Sequence, residues 1–221
     1  MLECKTVAIP LEITMRSKQS GFTLVEIAIV LVIIGLLLGG VLKGQELINQ
    51  AKVKNIANDL NGIGAAVYTY QDRYKALPGD DSGAQARWSL TNAQNGDRNG
   101  VLDAANANGA DETALFWLHL RKAGLISGDA TSNAPPFNAV NGTTVVVNGG
   151  AGFSGVVICS NNLPGKLAEA VDSQFDDGNP KTGTMRATAN NTGTAAADIA
   201  VTTAAAYSDD GAQTYRVCKQ L

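Results

Sequence analysis

The sequence predicts an α+β protein in which one long N-terminal helix precedes a small β-sheet with long polar loops. Apolar residues are concentrated in one block near the N-terminus, and this block continues into an amphipathic helical pattern. Beyond residue 140 the pattern changes to short runs of β-branched residues between turn signals, which are typical of strands. The 221 residues suffice for one globular domain plus an appended element. We therefore expect a head domain and a helix that extends from it.

The apolar block spans residues 22–42. It contains only two polar side chains, Thr23 and Glu26, and no proline. About 20 apolar residues are enough for a helix to cross a bilayer. Arg16 and Lys18 precede the block, and flanking basic residues favour a cytoplasmic N-terminus. The block is therefore predicted to cross a membrane, with a secretory signal peptide or a plain signal anchor as the alternative.

Two features argue against a signal peptide. Glu26 lies one turn inside the apolar block, where a charge costs up to about 2.5–3.5 kcal/mol at bilayer depth and usually marks a functional pairing. The helical pattern also does not stop at a small-residue cleavage site, but continues through Ile48, Ala51, Ile56, Leu60, Ile63, Val67, Tyr70 and Tyr74. One helix is therefore predicted from about Thr23 to Lys75, and Pro78-Gly79 ends it.

The junction before the block has a specific pattern of a basic residue, a glycine, a phenylalanine, a Thr-Leu step and a glutamate. It reads Lys18-Gln19-Ser20-Gly21-Phe22-Thr23-Leu24-Val25-Glu26. This pattern resembles the prepilin cleavage and methylation signature of type IV pilins and pseudopilins. The resemblance implies that prepilin peptidase cleaves between Gly21 and Phe22 and methylates the new amino group of Phe22.

The resemblance also implies a role for Glu26 in assembly. Its carboxylate would pair with the Phe22 ammonium of a neighbouring subunit in a filament. Such a pair is physically reasonable, because a lone buried carboxylate is penalised and a buried cation relieves it. Only one axial offset between subunits satisfies the pair, so the pair would also set their register.

The implied organisation is a leader over residues 1–21, a helix over 22–76 and a head domain over 77–221. Residues 22–42 would serve as membrane anchor and polymerisation segment, and the helix would pack on a small antiparallel sheet, as in the type IV pilin fold. Translation from Met15 would leave a leader of typical length for such proteins. We therefore expect that Met15 is the true start and that residues 1–14 are an over-called extension.

The resemblance further implies partners and a location. The partners would be other copies of the chain, other pilins, prepilin peptidase and an inner-membrane assembly platform. The precursor would lie in the inner membrane with its N-terminus in the cytoplasm, and the filament would be extracellular or periplasmic. A structural subunit of a type IV pilus-like filament is the first hypothesis, and a type II secretion pseudopilin, a minor pilin or a tip-binding subunit is the alternative.

Three cysteines are present: Cys4, Cys159 and Cys218. Removal of the leader leaves Cys159 and Cys218, and two cysteines alone in an exported domain predict a disulfide. Two buried thiols are the alternative for a domain that stays in the cytoplasm. By resemblance to many pilins, the bridge would bound a C-terminal region, and we interpret it as a stabilising link rather than part of a recognition site.

The head domain contains signals for several elements. A helix is predicted over 111–123, capped by Asp111 and ended by Gly124, with four apolar residues expected to pack on the long helix: Leu115, Phe116, Leu118 and Leu120. Strands are predicted over 143–147 and 155–159, joined by a turn at Asn148-Gly149-Gly150. A short helix over 163–172, a turn over 176–180 leading to 185–187, and a last strand over 215–218 follow.

The sequence offers little that indicates catalysis or a cofactor. His119 is the only histidine, and its apolar surroundings predict a packed or partly exposed side chain rather than a catalytic one. The segment Asn95–Asp103 has oxygen-bearing side chains at alternate positions, as in a calcium loop. Asn106 stands where such a loop has a bidentate glutamate, so an Asx-rich turn is the favoured interpretation and no metal ligand is assigned.

Charge and composition bear on the remaining functions. An anchored enzyme is disfavoured because no phosphate-binding glycine loop, unpaired mature cysteine or metal-ligand motif occurs. The net charge of −3 disfavours nucleic acid as a partner, because phosphate binding requires clustered lysines and arginines.

Overall fold

The computed structural model describes residues 21–189, 206–211 and 213–221. These residues form two compact units, one that ends at Gln45 and one that begins at Glu46. The helices are α1 Leu24–Tyr74, α2 Ala84–Trp88, α3 Glu112–Lys122 and α4 Gly165–Phe175, with a 3-10 turn at Asn92–Gln94. The strands are β1 Thr144–Gly150, β2 Phe153–Pro164, β3 Met185–Ala189 and β4 Thr214–Gln220. Their order in the sheet is β1-β2-β4-β3, and all pairs are antiparallel.

Helix α1 agrees with the prediction to within one residue at each end. It stops at Tyr74, and the next residue, Lys75, adopts a positive φ of 53° three residues before Pro78. The second half of α1 buries a stripe of side chains at helical spacing: Ile56, Leu60, Ile63, Val67 and Tyr70. This stripe packs in one core with sheet residues such as Val146, Ile158 and Val217. The α+β prediction is therefore confirmed: a long helix packs on a four-stranded antiparallel sheet.

Helix α3 begins and ends where the sequence indicates. The Asp111 side chain accepts hydrogen bonds from the backbone N–H groups of Thr113 and Ala114, as an N-cap residue does. Of the four predicted packing residues, Phe116 and Leu120 join the main core with α1. Leu115 and Leu118 do not, and instead form a separate cluster with Ala110. That part of the prediction was wrong, because residues 115 and 118 lie on a different face of a helix with 3.6 residues per turn.

The hairpin between β1 and β2 differs from the prediction. Gly150 pairs with Phe153, so the turn is formed by Ala151 and Gly152, both with positive φ. The predicted turn at Asn148-Gly149-Gly150 is instead part of β1, and the register shifts between Asn148 and Gly150. A glycine with positive φ, here Gly149 at 73°, suits a β-bulge as well as a turn. The glycines therefore mark a backbone irregularity, but this irregularity is a bulge within β1 and not the turn between the two strands.

The observed boundaries of three further elements differ from the predicted ones. Helix α4 starts at Gly165 rather than residue 163, because Leu163 and Pro164 still pair with β4. Strands β3 and β4 contain the predicted segments and extend beyond them. Helix α2 was not predicted, since five residues are too few to show helical periodicity.

Candidate processing and assembly site

The first turn of α1 is held by reciprocal contacts between Thr23 and Glu26. The Glu26 carboxylate oxygen Oε2 accepts hydrogen bonds from the backbone N–H of Thr23 and from its Oγ1 hydroxyl, each at 2.8 Å. In return, the backbone N–H of Glu26 donates to the Thr23 Oγ1 at 3.3 Å. This is a capping box, which satisfies N–H groups that have no partner inside the helix. The sequence analysis missed it, although the Thr-x-x-Glu spacing signals it.

Gly21 and Phe22 precede this turn and lie outside the helix. Both are exposed, and Phe22 retains 84% of its accessible surface. Among the described residues, no atom other than those of its chain neighbours lies within 4 Å of the position that a side chain on Gly21 would occupy. The Gly21-Phe22 peptide bond is therefore in irregular, open backbone, the kind of segment that proteases prefer.

The large apolar side chains of the first half of α1 are exposed. They run from Phe22 and Leu24 to Leu47 and Ile48, and Leu24 is 91% exposed. Continuous exposure of this kind greatly exceeds the apolar patches of ordinary soluble domains and marks a surface that contacts lipid or other proteins. Helix α1 is also long and apolar enough to cross a membrane, a test that a signal sequence would pass too.

The predicted disulfide between Cys159 and Cys218 is present. The two residues are direct partners on the adjacent strands β2 and β4. They lie in a small apolar cluster with Val145, Val147 and Val157, separate from the main core. Neighbouring residues such as Ile158 belong to the main core, so the bridge lies on the face of the sheet that is turned away from α1. It links the last strand to the sheet across a sequence separation of 59 residues.

His119 is fully buried, which confirms a packed role for its side chain. Its Nδ1 accepts a hydrogen bond from the backbone N–H of Gly79 at 3.0 Å. Its Nε2 lies 3.1 Å from the carbonyl oxygen of Gln94 and therefore carries the proton that it donates. Burial lowers the pKa of His119, because the charged form would lose solvation and also the Gly79 hydrogen bond. The neutral ring thus joins α3 to the segments that follow α1 and α2.

A partly buried ion pair lies beside His119, formed by the buried Asp81 and the more exposed Arg87. The Asp81 Oδ2 accepts hydrogen bonds from the Tyr70 hydroxyl at 2.7 Å and from the Arg87 guanidinium at 2.6 Å. The guanidinium also stacks 4.1 Å from the ring centre of Tyr74. Burial alone would raise the pKa of Asp81, but the hydrogen bonds from Arg87 and Tyr70 outweigh it and lower that pKa. This network fastens the chain after α1 back onto the helix.

The loop over 95–103 uses its oxygen atoms in internal hydrogen bonds. Asp97 Oδ1 accepts from the backbone N–H of Asn99, and Asn99 Oδ1 accepts from that of Val101. Two buried carboxylates hold the loop from beneath: Asp80 accepts from two of its N–H groups and Glu112 from another two. Burial raises the pKa of both carboxyls. These contacts favour the Asx-turn interpretation, and calcium binding by this loop stays a prediction.

Comparison with known protein families matches residues 16–42 to the prokaryotic N-terminal methylation motif. The matched segment contains the Gly21-Phe22 junction, the Thr23–Glu26 capping box and the exposed apolar block. No curated protein and no solved structure matches the chain. The match is therefore confined to the N-terminal segment.

Proposed function

The chain carries the N-terminal signature of type IV pilins and pseudopilins, and we propose that it is a structural subunit of a type IV pilus-like filament. The observation that carries the proposal is the coincidence of this motif with a helix whose apolar side chains are exposed from its first turn. A surface of that kind requires lipid before assembly and neighbouring subunits afterwards. The motif favours a structural role over an enzymatic one.

The first step of the proposed pathway is processing. Prepilin peptidase cleaves between Gly21 and Phe22 and methylates the new Phe22 amino group. The exposed, non-helical backbone at this junction supports this step, because cleavage there would not require α1 to unfold. The product retains the complete α1, which starts two residues later at Leu24.

The second step is assembly through Glu26. Both hydrogen bonds from Thr23 go to Oε2 of the Glu26 carboxylate, so Oε1 is available to the Phe22 ammonium of a neighbouring subunit. In an apolar environment, a pair that is also hydrogen-bonded relieves the desolvation penalty of both charges. The capping box then has a second use, since it restricts the orientation of the carboxylate that the neighbour must meet.

The precursor is proposed to reside in the inner membrane, with its N-terminus in the cytoplasm. The apolar first half of α1 would be the anchor, and an inner-membrane assembly platform would extract it into an extracellular or periplasmic filament of like subunits. A type II secretion pseudopilin or a minor pilin is the second candidate. Residues 16–42 carry a signature that pilins and pseudopilins share, so the matched motif supports this candidate as well.

Mass spectrometry of the chain purified from its native host tests the proposal. We expect the intact mass and the N-terminal peptide to show a chain that begins at N-methylated Phe22. A Gly21→Val variant is the matched control, and we expect it to remain uncleaved. Because a side chain at this position would meet no atom of the described residues beyond its chain neighbours, a loss of cleavage would reflect recognition by the peptidase.

An uncleaved wild-type chain, or a chain cleaved beyond the apolar block, would contradict the proposal. If cleavage is as expected, the location of the product separates the two candidates. Abundant protein in fibres sheared from the cell surface indicates a pilus subunit. Protein retained in the cell envelope indicates a pseudopilin.

A further inference from the structure

A groove in the second unit lies between α1, α3 and the loops that follow α3. Its volume is about 340 Å³, and its α1 side includes Asp59 and Ile63. The opposite side includes Trp117 of α3 together with Ile126 and Phe137, which follow that helix. All of these residues belong to the unit that begins at Glu46. The groove therefore places one carboxylate among apolar and aromatic side chains.

The Asp59 carboxylate loses part of its solvation in this groove and gains no partner in return. The ion pairs in the described part of the chain are Lys75–Asp72 and Arg87–Asp81, and neither includes Asp59. Burial raises the pKa of Asp59, and no hydrogen bond or charge from the described residues opposes that effect. The carboxylate is still accessible to solvent. A cation that entered the groove from outside the chain would relieve the loss of solvation.

Phe137 indicates what kind of cation suits the groove. Its ring is 77% exposed, although it lies beside the partly desolvated Asp59. A single exposed apolar side chain is common by itself, but here it stands next to a carboxylate that lacks a counter-charge. A lysine side chain matches both features, because its four-carbon stem packs on apolar surface while its ammonium pairs with a carboxylate. The ammonium is also attracted to the face of an aromatic ring.

Lys54 of α1 is a lysine of the required kind. It is exposed, and its ammonium has no ion pair or hydrogen bond among the residues that the structure covers. It precedes Asp59 by five residues, which places the two side chains about 140° apart around an α-helix. The two therefore point to different sides of α1 and do not pair within one chain. Contacts that build a filament join two different faces of each subunit, and this arrangement meets that requirement.

The axial register of the proposed filament brings Lys54 of one copy level with Asp59 of the next. A pair between the Phe22 ammonium and the Glu26 carboxylate displaces neighbouring copies by about four residues, or about 6 Å along a helix. In a helical filament, every atom of a subunit is displaced by the same axial distance. Lys54 then lies about one residue, or about 1.5 Å, from the level of Asp59. A flexible lysine stem spans a difference of that size.

We propose that the groove beside Asp59 receives Lys54 of a neighbouring copy of this chain, whose ammonium pairs with the Asp59 carboxylate and whose stem packs against Phe137. This inference rests on the proposed function, because it requires a filament of like subunits. It adds a contact in the second unit to the pair between Phe22 and Glu26. A pair that is partly removed from water is stronger than a fully exposed one. The contact therefore helps to hold neighbouring head domains in one register.

Charge reversal in the native host tests the pair. In Lys54→Glu and Asp59→Lys variants, like charges face each other between copies, and we expect at least about tenfold less filament in sheared fractions. The double variant restores opposite charges with exchanged positions, so its filament should return to within about threefold of the wild type. Cleavage after Gly21 and the melting temperature of the head domain should be unchanged in all three variants. Wild-type filament in both single variants would overturn the proposal, as would a double variant that assembles no better than they do.

An Asp72→Lys variant is the matched control. Asp72 is also a carboxylate on α1, its side chain is 88% exposed, and the substitution makes the same change of charge as Asp59→Lys. It lies outside the groove, so we expect filament within about twofold of the wild type, as for most exposed ion pairs. A loss equal to that of Asp59→Lys would attribute the effect to the overall charge of α1 and would overturn the specific pairing.

Cross-linking of wild-type filaments decides the matter even if a variant fails to fold. A carbodiimide joins a carboxylate to an adjacent amine as an amide, with loss of water. We expect mass spectrometry to find a peptide that links Lys54 to Asp59 in covalent dimers, and not in the monomer band.

The result also separates this inference from the proposed function. If the processed wild-type chain forms no filament, both fail. If filaments form without the linked peptide, only the pairing of Lys54 with Asp59 is overturned. A link from Asp59 to a lysine of another protein would overturn it too, because the groove would then receive that protein.

Discussion

The two units of the chain differ in whether their apolar side chains are exposed and in how their polar groups are hydrogen-bonded. In the described part of the first unit, residues 21–45, the large apolar side chains are exposed, and the one carboxylate, Glu26, is bonded within its own helical turn. In the second unit, apolar side chains form a core around α1 and the sheet, and buried polar groups such as Glu112 and His119 have specific partners. The second unit thus buries its apolar side chains among its own residues, whereas the described part of the first unit leaves them exposed.

One helix contains both patterns. Helix α1 is apolar on all sides in its first half and carries a single apolar stripe from Ile56 onward. A helix that is apolar all round belongs in a membrane or in a large core, and one with a stripe belongs on the surface of a domain. The contrast shows that the hydrophobic pattern changes within one continuous helix.

The largest expected effect is on Glu26. A Glu26→Gln variant keeps the capping box, since glutamine can accept the same bonds from Thr23, but loses the charge. Because a neutral side chain cannot pair with the Phe22 ammonium, we expect more than tenfold less filament in sheared fractions. The melting temperature of the head domain should stay unchanged. Wild-type levels of filament in this variant would show that Glu26 acts only as part of the helix cap.

The disulfide should affect the stability of the head domain and leave the processing of the N-terminus unchanged. Replacing both cysteines, as in a Cys159→Ala, Cys218→Ala double variant, should lower the free energy of unfolding of the head domain by about 4 kcal/mol, given the sequence separation of 59 residues. Denaturant unfolding in detergent would measure it. Cleavage after Gly21 should persist in this variant. Loss of cleavage there would show that the two units are coupled.

The buried network around Asp81 should contribute less than the disulfide. A Tyr70→Phe variant removes the hydroxyl that donates to Asp81, and we expect a loss of about 1.5–3 kcal/mol, because the acceptor is charged and buried. The matched control is Asp72→Asn, which removes an ion pair with Lys75 whose side chains are 72% and 88% exposed. That change should fall below about 0.5 kcal/mol. Equal losses in the two variants would show that burial does not decide the strength of these contacts.

The smallest expected effect is the contribution of His119 to the pH dependence of the free energy of unfolding. Its folded-state pKa lies below the unfolded value of about 6.5, so the unfolded chain binds more protons in mild acid. The stabilisation by neutral His119 is therefore present above pH 6.5 and is lost as the pH falls below it. We expect the wild type to lose about 1 kcal/mol more than a His119→Gln variant between pH 7 and pH 5.5.

Denaturant unfolding of both proteins at each pH measures this difference. Comparison with the variant is necessary because buried carboxyls with raised pKa values, such as those of Asp80 and Glu112, change stability in the opposite direction over the acidic range. Parallel pH profiles for wild type and variant would contradict the assignment of a neutral, hydrogen-bonded His119.

Local signals predicted much of this molecule. The ends of α1 follow from hydrophobic period and from Pro78, and the start of α3 follows from the capping residue Asp111. The disulfide follows from a count of two cysteines in a domain expected to be exported. Each of these inferences uses either residues that are close in sequence or a property of the whole chain. None of them requires knowledge of how the side chains pack.

Other features were missed because they depend on long-range contacts. The glycines after Asn148 serve in a strand bulge because pairing with β2 continues past them. The turn at residues 176–180 was predicted, but the burial of Asp172 four residues before it was not.

The sequence by itself determined the methylation motif, the apolar and amphipathic halves of α1, and the pair of cysteines, because each is written in local spacing or composition. Only the tertiary structure decided which face of α3 meets α1, which nitrogen of His119 carries the proton, and which backbone groups the Glu112 carboxylate binds. These depend on burial, and burial is set by residues far apart in the chain.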